Sequence, residues 1–160
     1  DPIIFMESEL MYGDKGEVPL EEYLIPIGKS NLVNEGGDVT LVSFGKMMKV
    51  AEETYIEAKK EGINLEVIDL RSVRPIDYES IVNSVKKTNR LVIIEEAWPL
   101  ASISSEISHH IQRFAFDYLD APVHRITCED VPFHYAPTLI KEITPNVDKA
   151  MKAVKKVMYK

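Results

Sequence analysis

Two patterns of apolar and polar positions alternate along most of the chain: short apolar runs, and apolar residues at helical spacing. From residue 38 onward, short apolar runs predict strands at residues 39–44, 65–70, 91–94 and 123–127. Between and after them, apolar residues recur at helical spacing, and Asp77 and Thr144 are predicted to cap two of the resulting helices. This alternation predicts an α/β fold, a three-layer α/β/α arrangement with a mostly parallel sheet.

The first 37 residues differ from the rest of the chain in their pattern of residues. Residues 3–6 form a short apolar run that predicts a buried strand, whereas residues 14–37 scatter Pro, Gly and acidic residues and predict a linker lying on a surface. Residues 1–38 contain nine acids and two lysines, a net charge of −7, and residues 39–160 contain 17 of each sign. We therefore expect an acidic lead-in followed by a balanced globular domain.

Charge and hydropathy exclude some classes of partner. A net charge of −7 argues against a nucleic-acid binder, which usually carries a basic surplus. No apolar run approaches the ~18–20 residues of a membrane span. The chain begins with Asp1-Pro2 and shows no signal peptide, so we expect a processed or excised fragment.

The residues alone predict no complete active site. Neither a glycine-rich phosphate loop nor a Gly-x-Ser-x-Gly elbow follows any predicted strand. Cys128 is the only cysteine, which excludes an internal disulfide and a thiolate zinc site. From its residues, the domain is expected to work through contacts.

Several polar groups at predicted strand ends have two interpretations. Glu95 and Glu96 follow the third predicted strand and could provide a base or a structural pair. Arg71 and Arg74 could bind an anion or pair with a carboxylate, and Ser102 could open an anion site or cap a helix. The structural interpretation is favoured for all of them.

Three further features stay open in the same way. Adjacent His109 and His110 point about 100° apart on a helix, so they favour ordinary roles over a shared metal. Trp98 suits an interface or a core equally. The last predicted helix contains lysines that suit either the helix dipole or an acidic partner, with the dipole favoured: Lys149, Lys152, Lys155, Lys156 and Lys160.

An ordered set of phrases carries a family resemblance across the whole chain. They occupy residues 9–13, 25–29, 67–75, 87–92, 95–99 and 119–122. In this order they resemble the carboxy-terminal half of pyruvate dehydrogenase beta subunits, which are thiamine-dependent. The resemblance implies a transketolase C-terminal-like domain at residues 38–160. It implies that residues 1–37 are the last strand of a missing pyrimidine-binding domain plus a linker.

The resemblance also implies a function for the complete subunit. Such enzymes oxidatively decarboxylate pyruvate on thiamine diphosphate and transfer the acetyl group to lipoyl groups. Thiamine diphosphate and Mg²⁺ are implied in the full enzyme, with none bound by this chain alone. The family places the catalytic groups on the missing domain and the diphosphate and Mg²⁺ on the alpha subunit. We therefore assign no catalytic, cofactor-binding or metal-binding residue here.

The implied partners are an alpha subunit, a second beta subunit and the subunit-binding domain of dihydrolipoyl acyltransferase. The resemblance places this last contact at Asp120, with Lys160 nearby, although Asp120 could merely end a turn. Ala97, Ser102 and Ser104 depart from the family, which usually has glycine there.

The implied compartment is the cytoplasm in a bacterium and the mitochondrial matrix or plastid in a eukaryote. Three other identities stay open: a branched-chain 2-oxoacid or acetoin dehydrogenase beta subunit, a stand-alone protein-interaction module, and a small anion-binding regulatory domain.

Overall fold

The structure is a computed structural model that describes residues 2–160. A five-stranded sheet forms the centre of the molecule. The strands lie in the order β1-β3-β2-β4-β5, and every neighbouring pair is parallel except β1 with β3. Their bounds are β1 Asn31–Asn34, β2 Val39–Ser43, β3 Leu65–Asp69, β4 Leu91–Ile94 and β5 His124–Ile126.

Helices cover both faces of this sheet. α1 and α5 pack on one face and α2 and α3 on the other, which gives three layers and confirms the predicted fold class. The helices are α1 Met47–Lys60, α2 Tyr78–Thr88, α3 Ile103–Phe114, α4 Pro137–Ile143 and α5 Val147–Val157.

Two inner strands, β2 and β4, are covered by helices on both of their faces. Every residue of β2 and β4 is buried, as expected for strands between two helix layers. In β4, Val92 and Ile94 face the α1 and α5 layer, whereas Leu91 and Ile93 face α2 and α3. The continuous apolar runs in the sequence therefore mark strands with two cores.

Two helix starts show how local sequence sets element bounds. Asp77 caps α2 as predicted, by accepting a hydrogen bond from the Ser80 amide. Burial acts to raise the pKa of Asp77, but hydrogen bonds from Ser30 and Ser80 outweigh it and lower that pKa. The cap predicted at Thr144 is wrong. α5 is capped by Asn146, and Thr144 ends α4, a further short helix that precedes α5.

The amino-terminal segment differs from the prediction. The apolar run at residues 3–6 is exposed and pairs with no strand among the described residues, and Asp1 lies outside them. β1 comes from the segment predicted as linker and adds an antiparallel edge strand. Gly36, in the turn after β1, lies so close to the Leu65 backbone that a Cβ atom would not fit.

The helices of this fold are short. Within residues 2–160, none combines the length and the hydropathy that crossing a bilayer requires.

Candidate functional site

Glu95 lies at the carboxyl edge of the sheet, where sites of parallel α/β folds usually form. Its side chain is buried and accepts hydrogen bonds from the amides of Ile103 at 3.0 Å and Ser104 at 2.8 Å. Both oxygens therefore cap the first turn of α3, where the helix dipole favours a negative charge. This arrangement supports the structural interpretation of Glu95 over a catalytic base.

The other charged groups of this edge are also engaged. Glu96 Oε2 lies 2.6 Å from Lys46 Nζ. Arg125 donates to the Pro99 carbonyl at 3.0 Å and to Ser105 Oγ at 2.6 Å. Glu95, Glu96 and Arg125 therefore each have a partner among residues 2–160, and none of the three is free to act as an acid or a base.

The Arg71 loop follows β3 at the same edge. The Arg71 amide donates to Asp69 Oδ1 at 3.1 Å, and its Nε lies 3.9 Å from Asp69 Oδ2. Burial raises the pKa of Asp69, an effect that Arg71 offsets only in part. Arg71 thus pairs locally, while Arg74 is exposed and forms no ion pair with the residues described.

The fit of thiamine diphosphate and Mg²⁺ can be tested on these residues. Residues 2–160 contain no group of three His, Cys, Asp or Glu side chains that could hold a metal ion. The turn from β2 to α1 offers Gly45 followed by Lys46, without a run of glycines. Among residues 2–160 we therefore find neither a cluster of three metal ligands nor a glycine-rich turn for the diphosphate, and where the cofactor binds stays a prediction.

The open candidates of the sequence lie in separate places. His110, on α3, stacks on Tyr78, on α2, with ring centroids 3.8 Å apart. Trp98 is 54% exposed and donates to the Val131 carbonyl at 3.3 Å, so it does not fill a core. The lysines of α5 are partly paired: Lys149 lies 3.2 Å from Glu129 and Lys155 lies 2.7 Å from Glu61.

Asp120 lies at the opposite, amino edge of the sheet, in the turn before β5. Its Oδ2 accepts from Arg90 Nη2 at 3.0 Å, and its amide donates to the Asn89 carbonyl at 2.9 Å. Arg90 also donates to the Asp38 carbonyl at 3.3 Å, which connects this turn to the start of β2. The carboxylate is exposed but held in one place.

The last residues of the chain lie beside this turn. The Tyr159 hydroxyl donates to the Asp120 carbonyl oxygen at 3.0 Å, so Asp120 and the neighbourhood of Lys160 share one surface. Neither Arg90 nor Tyr159 is predicted from the sequence as a partner of Asp120. Arg90 lies in a family phrase at residues 87–92, but no spacing rule connects it to residue 120. That these residues bind a partner stays a prediction.

Sequence comparison identifies related families over nearly the whole chain. The family described as transketolase, C-terminal domain, matches residues 28–150. The chain is 47% identical to "Pyruvate dehydrogenase E1 component subunit beta" of Rhizobium meliloti, and the match covers 100% of the chain and 35% of that protein. It is 45% identical to the mitochondrial subunit of this name from Dictyostelium discoideum, over 98% of the chain and 45% of that protein. The chain thus spans less than half the length of these two relatives.

Solved structures share the same fold. A split-gene transketolase, solved as an inactive beta4 tetramer, superimposes with a TM-score of 0.76 at 26% identity, over 90% of this chain and 46% of that one. A 2-oxoglutarate:ferredoxin oxidoreductase gives a TM-score of 0.54 at 12% identity, over 81% of this chain and 19% of that one, which shows the fold alone.

The sheet order, the two helix layers and the sequence match agree. The family match begins at residue 28, just before β1, and ends at residue 150 within α5, so it covers all five strands. The chain belongs to the transketolase C-terminal domain family.

Proposed function

We propose that this chain is the C-terminal domain of the beta subunit of a thiamine diphosphate-dependent pyruvate dehydrogenase component. The complete enzyme decarboxylates pyruvate oxidatively and transfers the acetyl group to lipoyl groups. The observation that carries the proposal is the 40–47% identity to proteins named for this subunit, over 98–100% of the chain. In that enzyme this segment serves subunit assembly and docking to the dihydrolipoyl acyltransferase core.

The proposal divides the chain in two. Residues 38–160 are the transketolase C-terminal-like domain, and residues 1–37 are the last strand of a pyrimidine-binding domain plus a linker. The exposed apolar side chains of Ile4, Phe5 and Met6 support this, because such a run is expected to be covered by another domain. Because β1 pairs with β3, part of the proposed linker joins the sheet of the C-terminal domain.

Cofactor and partners follow from the same proposal. Thiamine diphosphate and Mg²⁺ bind outside this chain, on the alpha subunit and the pyrimidine-binding domain. The partners are the alpha subunit, a second beta subunit and the subunit-binding domain of dihydrolipoyl acyltransferase. The compartment is the cytoplasm in a bacterium and the mitochondrial matrix or plastid in a eukaryote.

A chimeric subunit tests the proposal. This chain replaces the matching segment of the Rhizobium meliloti beta subunit, which is expressed together with the alpha subunit of that organism. We expect an alpha2-beta2 tetramer with pyruvate-dependent activity within about tenfold of the parent, because tenfold corresponds to only ~1.4 kcal/mol at the transition state. Assembly is measured by light scattering and activity by lipoyl acetylation.

The control chimera carries the matching segment of the split-gene transketolase. If both chimeras assemble equally poorly, the chain is not this domain. The isolated chain, titrated calorimetrically with thiamine diphosphate and Mg²⁺, is expected to give no saturable heat, and saturable binding would contradict the assignment of the cofactor to other parts of the enzyme.

Replacing Asp120 tests the docking contact. In the assembled tetramer, Asp120→Ala is expected to weaken binding of the subunit-binding domain by about 1–3 kcal/mol. The reason is twofold: a carboxylate that faces a basic partner is lost, and the Arg90 charge is left unbalanced. Affinity is measured calorimetrically at two salt concentrations.

The matched control for this variant is Asp117→Ala. Asp117 is exposed in the adjacent helical turn Phe116–Tyr118 and forms no ion pair with the described residues. Equal affinities of the Asp120→Ala tetramer and the parent would show that the docking contact lies elsewhere.

A further inference from the structure

β5 leaves one edge of the sheet open. It is the last strand in the sheet order, so no strand within residues 2–160 pairs with its outer side. The Ile126 carbonyl accepts from the Glu95 amide at 3.0 Å, on the side of β4. Because backbone groups of alternate residues point to opposite sides of a strand, those of Arg125 face the open edge. Such an edge can accept an added strand.

A groove of about 510 Å³ follows this open edge. It runs between Pro99, in the loop after β4, and the side chains of α5. Ile126 packs in the core under α5, whereas Arg125 reaches the other face of the sheet and donates to Ser105 Oγ at 2.6 Å. The backbone of β5 therefore lies between the two walls of the groove.

One face of α5 presents three lysines to the groove at helical spacing, namely Lys149, Lys152 and Lys156. Lys149 lies 3.2 Å from Glu129, whereas Lys152 and Lys156 are exposed and form no ion pair with the residues described. Burial, and to a lesser extent the nearby Lys156 charge, lowers the pKa of His124, so this groove residue is neutral at pH 7.

The charges that line the groove do not cancel. Four cationic side chains, the three lysines and Arg125, face only two carboxylates, those of Glu129 and Asp130, which gives a net charge of +2. Both carboxylates follow β5 at its carboxyl end, and Lys156 lies near His124 at its amino end. The whole chain has a net charge of −7, so this groove is a local exception that suits an acidic ligand.

We propose that this groove binds an extended acidic segment of a partner protein, which adds a strand to the outer edge of β5 and places carboxylates against Lys152 and Lys156. The proposal goes beyond the proposed function and does not depend on it. Side chains alternate along a strand, so every second residue of the bound segment faces α5. β5 has only three residues and offers few backbone hydrogen bonds, so the lysines are expected to supply much of the affinity.

Binding of model peptides to the 160-residue chain tests the proposal by fluorescence anisotropy. The probe is a labelled ten-residue peptide of alternating Glu and Thr, and we expect saturable binding that weakens as salt rises. A peptide of alternating Lys and Thr is expected not to bind. A Glu and Thr peptide with backbone N-methyl groups on alternate residues keeps its charge but cannot pair with β5, and it is expected to bind about tenfold more weakly.

Two double variants of the chain locate the site. Lys152→Gln with Lys156→Gln is expected to weaken binding of the Glu and Thr peptide about threefold to tenfold. The control, Lys141→Gln with Lys155→Gln, removes two lysines that do not line the groove and should change affinity by less than about twofold. All four side chains lie at the surface or are half-buried, so both variants are expected to fold.

Several results would overturn the proposal. Absence of saturable binding by the Glu and Thr peptide would do so, as would equal losses in the two double variants, which would indicate a response to net charge alone. Unchanged affinity of the N-methylated peptide would exclude strand addition. A dimer of the chain, seen by light scattering and dissociated by Lys152→Gln with Lys156→Gln, would show that a second copy fills the groove instead of a separate partner.

Discussion

Glu95→Ala is expected to destabilise the chain by about 2–4 kcal/mol. The carboxylate is 4% exposed and accepts hydrogen bonds from the two amides at the start of α3. Hydrogen bonds to a charged acceptor contribute about 1.5–3 kcal/mol each, but the values do not add fully because water reaches part of the freed space. The buried Ser104 amide loses its acceptor in the variant, and this orphaned donor accounts for much of the loss.

Two further variants define what is lost. Glu95→Gln keeps one amide oxygen and the side-chain volume, so we expect it to recover about half of the difference. Glu96→Ala removes the neighbouring carboxylate, whose contact with Lys46 is partly solvated, and should cost less than about 1 kcal/mol. Urea unfolding measures all three. A Glu95→Ala midpoint equal to that of the parent would show that α3 does not depend on this cap.

The role of Glu95 illustrates what the sequence could not decide. Its position after an apolar run predicts the carboxyl edge of the sheet, and that is where it lies. A carboxylate there can be a base or a cap, and only the direction of the α3 amides separates the two. Those amides belong to residues 103 and 104, and the intervening loop has no spacing rule that predicts its path.

Strands that depend on contacts distant in sequence are likewise missed by sequence periodicity. Periodicity predicts strands that are buried on both faces, such as β2 and β4, because their apolar runs are continuous. It misses β1, whose Asn31 and Asn34 flank only two apolar residues on an edge strand. β1 is recognisable only through its pairing with β3, which is a tertiary property.

The departures from the family pattern have a local explanation. At Ser102 and Ser104, where the family usually has glycine, the hydroxyl oxygens lie 2.9 Å apart, and Ser102 caps α3 by accepting from the Ser105 amide. The serines therefore add polar contacts beside the Glu95 cap. A serine before a predicted helix indicates such a cap. The family resemblance alone does not, because the family usually has glycine at this position.

The proposed docking surface around Asp120 could be predicted only in part. Asp120 was predicted from the resemblance, whereas Arg90 and Tyr159 were found only in the structure. Arg90 lies 30 positions from Asp120 and Tyr159 lies 39 positions away, on opposite sides in the chain. Contacts across such separations depend on strand order, and the sheet order was not predicted.

Ile93→Ala is expected to destabilise the chain by about 3–4 kcal/mol, as large as or larger than the effect at Glu95. Ile93 is fully buried in β4, between the parallel strands β2 and β5, and packs in the core below α2 and α3. Removing its branched side chain loses the transfer free energy of three carbon atoms and leaves a cavity. Strands on both sides restrict collapse of the backbone, so the cavity is expected to persist.

A matched control separates burial from residue type. Ile56 lies on α1 and is 53% exposed, so Ile56→Ala should cost less than about 1 kcal/mol for the same change of side chain. Chemical denaturation gives both values, and the slope with denaturant should stay constant if the native state keeps its compactness. Equal costs at the two positions would contradict the burial of β4 between two helix layers, on which the three-layer fold depends. A larger cost at Ile93 is the result that burial between two helix layers predicts, and it would place much of the stability of the chain in the inner strands.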